Sequence, residues 1–387
     1  MREVFLLCEY PTLNGGERSM LATLDGLRAS GFTPAVIGPP HGPLADELTR
    51  RRVEVLGFCC RTVEGERRPL GCLREQLAEL LTHRRPALLH ANSLSMGRLS
   101  GPVAARLRLP SVAHLRDIVK LNAQVIADLN CHQRLLAVSD ATRTHHIAQS
   151  LSADKTRTLY NGVDLDLFQP RTVTKRLHHE LGLPSDALLI GTIGQLGLRK
   201  AQDVLLRAAE MIHMPSEATG RIASVLDAAH YLIIGERNSD KQESRQFESQ
   251  LHRMAQCEPL AGRVHFLGRR NDMVRLLGEL TLVVHPARQE PLGRVLLEAA
   301  ATGVPTIATA VGGTPEIFPP DSQSARLIPP DDPQALAAEI RQLLHDESLR
   351  RRLAAAARLR AEQQFDIRQA VAGLIAHYES LLYQNDT

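Results

Sequence analysis

Short apolar runs alternate with longer amphipathic stretches along almost the whole chain. In the first half the runs Val4–Cys8, Pro34–Ile37, Val53–Leu56, Ala87–His90, Ser111–His114 and Arg134–Val138 predict strands. The stretches Arg18–Ala29, Leu44–Arg50, Leu70–Leu81 and Gly97–Arg106 between them predict helices. Strands this short, rich in Val, Leu and Ala, are buried on both faces, as in a parallel sheet flanked by helices. The second half repeats the pattern with Ala187–Ile193, Tyr231–Ile234, Val264–Leu267, Leu282–Val284, Thr306–Ala310 and Ala325–Ile328. The stretch Glu243–Cys257 reads as a superficial helix, and Pro333–Leu344, Glu347–Gln363 and Ile367–Leu382 read as closing helices. The last carries Ile367, Val371, Leu374, Ile375, Tyr378 and Leu382 on one stripe, which needs a surface to pack on.

The class is therefore α/β, with two Rossmann-like domains in tandem and a cleft between the carboxyl ends of their sheets. Asp166–Lys175, which holds Pro170 and few apolar residues, reads as the linker. The expected boundaries are 1–168 for the first domain, 169–365 for the second and 366–387 for a C-terminal helix.

Composition narrows the function classes. A chain of 387 residues, 43% hydrophobic and 23% charged, is that of a two-domain globular protein. No apolar run approaches the ~18–20 residues needed to span a bilayer, and no signal-peptide pattern is visible. Six cysteines show no metal-ligand spacing and read as reduced thiols, so a cytoplasmic protein is expected. Aromatic content of 3% argues against a base-stacking surface, and no nucleic-acid partner is expected. The net charge of +3 is uneven: residues 1–170 hold 21 Lys and Arg against 17 Asp and Glu. Arg50-Arg51-Arg52, Arg67-Arg68 and Arg84-Arg85 read first as a solvated face, and second as a contact for an acidic substrate or anionic membrane.

Chemistry concentrates at strand-to-helix junctions. Glu290 lies in the loop after Leu282–Val284, and Glu298 follows eight positions later in a helix that opens near Gly293. Backbone N–H groups at such a junction favour an anion. Asn14-Gly15-Gly16-Glu17 sits between the first strand and first helix, where close backbone approach suits a phosphate or a plain turn. Gly191-Thr192-Ile193-Gly194-Gln195-Leu196-Gly197 resembles a dinucleotide loop, but its spacing is not that of GxGxxG. Arg199 and Lys200, the latter one of five lysines in an arginine-rich chain, are placed to neutralise a diphosphate.

With Gly15-Gly16, Tyr160-Asn161-Gly162-Val163-Asp164, Arg199-Lys200, Glu290…Glu298 and Gly312-Gly313-Thr314-Pro315-Glu316 in this order, the chain resembles the family 4 retaining glycosyltransferases. The resemblance implies the GT-B fold: two Rossmann-like domains facing across a cleft, with the C-terminal helix crossing back to the N-terminal domain. It implies a metal-independent transfer, needing no cofactor, from a nucleotide-sugar donor to a hydroxyl of a glycan, lipid-linked or small-molecule acceptor. Gly15 and Gly16 match the loop that approaches the donor phosphates, and Gly194, Arg199 and Lys200 the segment that binds them. Glu298 matches the acid on the ribose, and Glu290 the acid beside the transferred sugar. Leu292, Gly293 and Arg294 match the turn facing sugar hydroxyls and phosphate, and His114 the histidine near the sugar.

Three departures stand out. Gly194-Gln195 replaces the common Gly-Arg, which takes one guanidinium from the diphosphate segment, a place that Arg199 could fill. Lys200-Ala201 replaces Lys-Gly, which a helix accepts, and Leu292 stands where an aromatic is common. His90 divides evenly between an acceptor contact and a structural hydrogen bond, and His285 reads as orienting its loop. Asp164-Leu165-Asp166 spells the metal motif of another glycosyltransferase fold, but its place beside the linker argues against a metal.

The rivals are a sugar-nucleotide epimerase or hydrolase of the same fold, and a non-catalytic sugar-nucleotide-binding protein. Of the loops Pro39–Pro43, Cys59–Pro69 and Asn92–Gly97, where this fold receives its acceptor, the second carries Arg61, Arg67 and Arg68, which fit a lipid-linked or anionic acceptor, with peripheral attachment at the inner face of a membrane.

Overall fold

The computed structural model describes residues 2–214 and 225–383. The chain divides into two compact units, one of Met1–Gly162 with Ile367–Thr387 and the other of Val163–Asp366. Each is built on one parallel sheet.

In the first unit the strands are β1 (Arg2–Leu7), β2 (Phe32–Gly38), β3 (Glu54–Gly57), β4 (Leu88–Ala91), β5 (Ser111–Leu115), β6 (Arg134–Ala137) and β7 (Thr156–Thr158). Their order is β3-β2-β1-β4-β5-β6-β7. The order reverses between β1 and β4, where side connections diverge and leave a crevice at the carboxyl edge. Alternation along β1 feeds two cores. Phe5 and Leu7 pack on one face with Leu77, Leu89 and Leu99, while Val4 and Leu6 pack on the other with Leu24, Leu27 and Leu88.

That second face is closed by the terminal helix Ile367–Tyr383, which adds Leu374, Tyr378 and Leu381 to it. Burying each such side chain contributes about 1.5–3 kcal/mol. The crossing is close. A Cβ on Gly26 would stand 2.5 Å from Val371 Cγ1, and one on Gly162 would stand 2.4 Å from Ile367 Cα. Small residues at these points let the returning helix lie directly on the first unit.

The second unit contains β8 (Leu188–Ile193), β9 (Ala229–Ile234), β10 (Val264–Gly268), β11 (Leu282–His285), β12 (Thr306–Thr309) and β13 (Arg326–Ile328). All pairs are parallel in the order β10-β9-β8-β11-β12-β13, so the crevice lies between β8 and β11. Its closing helices start cleanly. Asp332 Oδ1 accepts from Ala335 N at 2.8 Å ahead of Pro333–His345, and Asp346 Oδ1 accepts from Leu349 N at 2.8 Å ahead of Glu347–Gln364.

Several local expectations are corrected. The stretch Arg18–Ala29 forms two helices, Gly15–Leu21 and Leu24–Ala29. At the join the Thr23 hydroxyl donates to Met20 O at 2.7 Å, competing with the helix ladder. The edge strand β7 has no apolar pattern, and pairing with β6 rather than sequence makes it. Asp164 Oδ1 accepts from Asp166 N and Leu167 N at 3.0 and 2.9 Å, so this carboxylate shapes the turn at the start of the second unit. Among the described residues no helix is long and apolar enough to cross a membrane.

Candidate active site

In the second unit the carboxyl ends of β8 and β11 carry two loops that meet. The loop after β8 turns tightly, with Lys200 N donating to Gly197 O at 2.9 Å. The loop after β11 is tied to it, since Arg288 N donates to Arg199 O at 2.9 Å and Arg288 Nη1 to Leu198 O at 2.7 Å. Arg288 also grips Asp203 through both terminal nitrogens at 3.1 and 2.9 Å. This frame aims Lys200 Nζ at Glu290 Oε2, with which it forms a buried ion pair.

His285, the last residue of β11, lies 2.7 Å through Nε2 from the same Glu290 oxygen. Burial and the Lys200 charge lower the His285 pKa, so the ring is neutral and donates from Nε2. Burial alone would raise the Glu290 carboxyl. The Lys200 charge and the His285 hydrogen bond outweigh it and hold Glu290 below the usual carboxylate range. The result is an ionised carboxylate whose second oxygen, Oε1, has no hydrogen-bond partner among the described residues.

Helix Arg294–Thr302 starts from Gly293 at φ +102°, where a Cβ would also strike Leu296 Cδ1 at 2.7 Å. Glu298 is therefore in the second helical turn, and its Oε1 accepts from Arg294 Nε at 2.7 Å. Arg294 Nη1 and the Thr314 hydroxyl are buried without hydrogen-bond partners among the described residues. Glu290 O accepts from Gly313 N at 3.0 Å, which ties the Gly312-Gly313-Thr314 turn to the same edge. Gly194 lies under the Lys200 stem, 3.6 Å from Cε at the place of a Cβ. Arg199 reaches Gln289 O at 3.4 Å. Leu292 is buried in the core and so presents only its backbone.

Ala201 overturns an expectation. It is not in a helix but caps one at φ +54°, a left-handed conformation that costs an L-residue about 1–2 kcal/mol. The usual Lys-Gly thus reflects backbone geometry.

In the first unit the site residues gather at the ends of β1, β4 and β5. Gly15 opens onto free space, whereas a Cβ on Gly16 would stand 3.3 Å from Arg116 Cδ. Glu17 Oε2 accepts from Asn14 N at 3.1 Å, which places a carboxylate at the helix start and works against a second anion there. Arg116 supplies the opposing charge. Its guanidinium donates to Asn92 O, Asn92 Oδ1 and Asn161 Oδ1, each at 2.9 Å. His114 lies on β5 with Nδ1 at 2.9 Å from His90 Nε2 and 3.3 Å from Arg116 Nη2. Burial lowers the pKa of both rings, aided by the Arg116 charge, and His90 falls to about 3. His90 has partners on both ring nitrogens, Tyr378 on Nδ1 and His114 on Nε2.

Sequence reasoning passed over Arg116, Asn92 and Glu9. Glu9 follows β1, is buried, and pairs with Arg67 at 3.0 Å and the Ser95 hydroxyl at 2.5 Å. A polar residue just past the end of each apolar run was the available signal.

Two family models match the chain in succession. Glycosyltransferase Family 4 covers residues 13–167, and Glycosyl transferases group 1 covers residues 173–360. A D-inositol 3-phosphate glycosyltransferase of Xylanimonas cellulosilytica is 30% identical over 68% of this chain and 61% of its own length. An N-acetyl-alpha-D-glucosaminyl L-malate synthase of Bacillus anthracis is 27% identical over 73% of the chain and 69% of its own length. The chain thus spans about three fifths of the first of these relatives. Among solved structures, Anabaena HepE in complex with UDP and glucose superposes with a TM-score of 0.83 at 23% identity, covering 98% of this chain and 100% of that one. The likeness establishes the GT-B glycosyltransferase fold.

Proposed function

This chain belongs to the family 4, group 1 glycosyltransferases, and from that premise we propose that it transfers a hexose from a nucleoside diphosphate sugar to an acceptor hydroxyl with retention of anomeric configuration. The observation that carries the reading is the Lys200–Glu290–His285 cluster at the switch point of the second sheet, with Glu298 one helix turn beyond Gly293. A buried cation and a buried anion sharing one edge suit a ligand with a charged diphosphate and a neutral polyol side by side.

In this reading the donor diphosphate takes up Lys200 and Arg199, with Arg294 and the turn at Gly293 completing the cradle. Glu298 accepts from ribose hydroxyls and Glu290 Oε1 from hydroxyls of the transferred sugar. As the bond between the anomeric carbon and the diphosphate oxygen breaks, negative charge gathers on the leaving group. Lys200 and Arg199 stabilise it, so no metal is required. Gly15 and Gly16 offer backbone to the phosphates, and His114 offers a hydrogen bond to the sugar.

The UDP bound by HepE supports a uridine nucleotide as the first donor to test. The relatives' names contain inositol phosphate and malate, which supports a small anionic acceptor received by the arginines of the first unit. A cytoplasmic enzyme making a glycan or glycolipid precursor, with salt-sensitive contact to a membrane, fits the basic loop Cys59–Pro69. Release of the protein from anionic vesicles by high salt tests that contact.

A panel of nucleoside diphosphate sugars is screened for a rise in melting temperature, since a ligand of the folded state stabilises it. The stabilising donor is then incubated with acceptors. Nucleoside diphosphate released only when an acceptor is present supports transfer. Release at a rate indifferent to acceptor identifies a hydrolase or epimerase, and binding without release over the panel identifies a non-catalytic protein.

A further inference from the structure

The terminal helix does more than cover an apolar face. Tyr378 OH lies 2.5 Å from His90 Nδ1, His90 Nε2 lies 2.9 Å from His114 Nδ1, and Arg116 Nη2 approaches that same Nδ1 at 3.3 Å. Tyr378, His90 and His114 are all buried in the first unit. Only one set of proton positions satisfies this chain of contacts. A guanidinium donates and never accepts, so His114 Nδ1 must be an acceptor and the ring proton sits on Nε2. His90 must then donate from Nε2, which leaves its Nδ1 to accept the Tyr378 proton. The three amide contacts of Arg116 hold its guanidinium and thereby the direction of the whole chain.

We propose that Tyr378 is a positioning residue of the site: through His90 it clamps His114 so that Nε2–H is held as a fixed hydrogen-bond donor. His114 Nε2 has no protein partner among the described residues. It can therefore give its proton to a ligand oxygen, a sugar hydroxyl or a phosphate. It cannot act as a general base, because its only lone pair is engaged at Nδ1. Without the Tyr378 proton, His90 Nδ1 is a buried acceptor with no donor, and a ring flip that relieves it carries Nε2 away from His114. The consequence for turnover rests on the transferase reading, whereas the proton positions do not.

The test uses the whole protein with its histidines labelled with nitrogen-15, and long-range proton–nitrogen spectra that report which ring nitrogen bears hydrogen. Both His90 and His114 are expected to be protonated at Nε2. Tyr378→Phe keeps the ring, which packs edge-on to Phe32 at 5.6 Å between centroids, and removes only the donor. It is expected to move the Nδ1 resonances of both histidines and to lower kcat about tenfold, leaving the KM for the donor near its original value. His90→Gln, whose amide also accepts and donates, is expected to keep the His114 resonances and most of the turnover. His90→Leu is expected to lose both. Protonation of His114 at Nδ1 would overturn the proposal, as would a Tyr378→Phe protein with normal turnover, or one with low turnover and unmoved His114 resonances. A protein without transferase turnover would refute the functional reading alone, because the His114 proton is read in the same sample without substrate.

Discussion

The two units share a strand order and open a crevice at the same place in it, yet they line that edge with opposite chemistry. In the first, neutral imidazoles and amides hold the guanidinium of Arg116 directly, while the carboxylates Glu9 and Glu17 engage Arg67 and the Asn14 N–H. In the second, a largely buried ammonium faces a buried carboxylate, Lys200 on Glu290. The topology decides where a ligand is met, and the side chains decide what it meets. The difference is also energetic. Removing one partner of a buried ion pair costs about 3–5 kcal/mol, because the other charge is left without compensation. Losing one neutral hydrogen bond costs about 1–3 kcal/mol, the price of one unsatisfied buried group.

The comparison breaks most sharply at Lys200. Lys200→Ala strips Glu290 of its charge partner and, in the proposed reaction, the leaving group of its cation. We expect kcat to fall about 100- to 1,000-fold and the protein to lose about 3–5 kcal/mol in urea unfolding. Near-normal turnover would remove Lys200 from the diphosphate site. Glu290→Gln keeps the size of the side chain and removes its charge. It should lower kcat by about 100-fold with a smaller loss of stability, because Lys200 reaches solvent at 15% of its side chain.

Acid acts on the buried histidines of both units. Burial, with the Arg116 charge, lowers His90 to about 3, and burial lowers His132 to about 4. The unfolded chain binds protons at these rings from about pH 6.5 downward, while the folded one does not. Their contribution is thus complete above pH 6.5 and is lost as the pH falls toward 4. At pH 5 each ring costs about 2 kcal/mol. Glu290, held below the usual range, stays ionised throughout that window. Burial lowers His213 and His230 of the second unit to about 4 as well, so urea unfolding at pH 5 should show a lower midpoint than at pH 7, and an unchanged midpoint would count against these neutral rings.

The smallest expected effect is at Ala201. Ala201→Gly relieves the left-handed strain at the start of helix Gln202–His213 and should add about 0.5–1 kcal/mol to stability, read as a higher urea midpoint. A loss of stability would mean that the buried methyl outweighs the backbone.

Much of this molecule was legible in the sequence. The strands and helices could be read because side-chain periodicity is a local property, set by whether successive residues must face one core or two. The eight-residue spacing of Glu290 and Glu298 placed both acids at one junction for the same reason. Breaks such as Ala22–Thr23, and strands such as β7, were not legible because a hydroxyl contact or a neighbouring strand makes them.

By itself, then, the sequence determined the α/β class, the tandem parallel sheets and the residue types at each strand end. Only the tertiary structure decided that Lys200 would meet Glu290 across 90 positions, and that Tyr378 would meet His90 across 288. It alone showed that the stripe on the last helix reaches the first sheet with a hydroxyl as well as with apolar surface. Local pattern specifies which face of an element is buried. Which groups share that burial, and so which charges and protons are held in place, depends on the order in which the strands lie side by side.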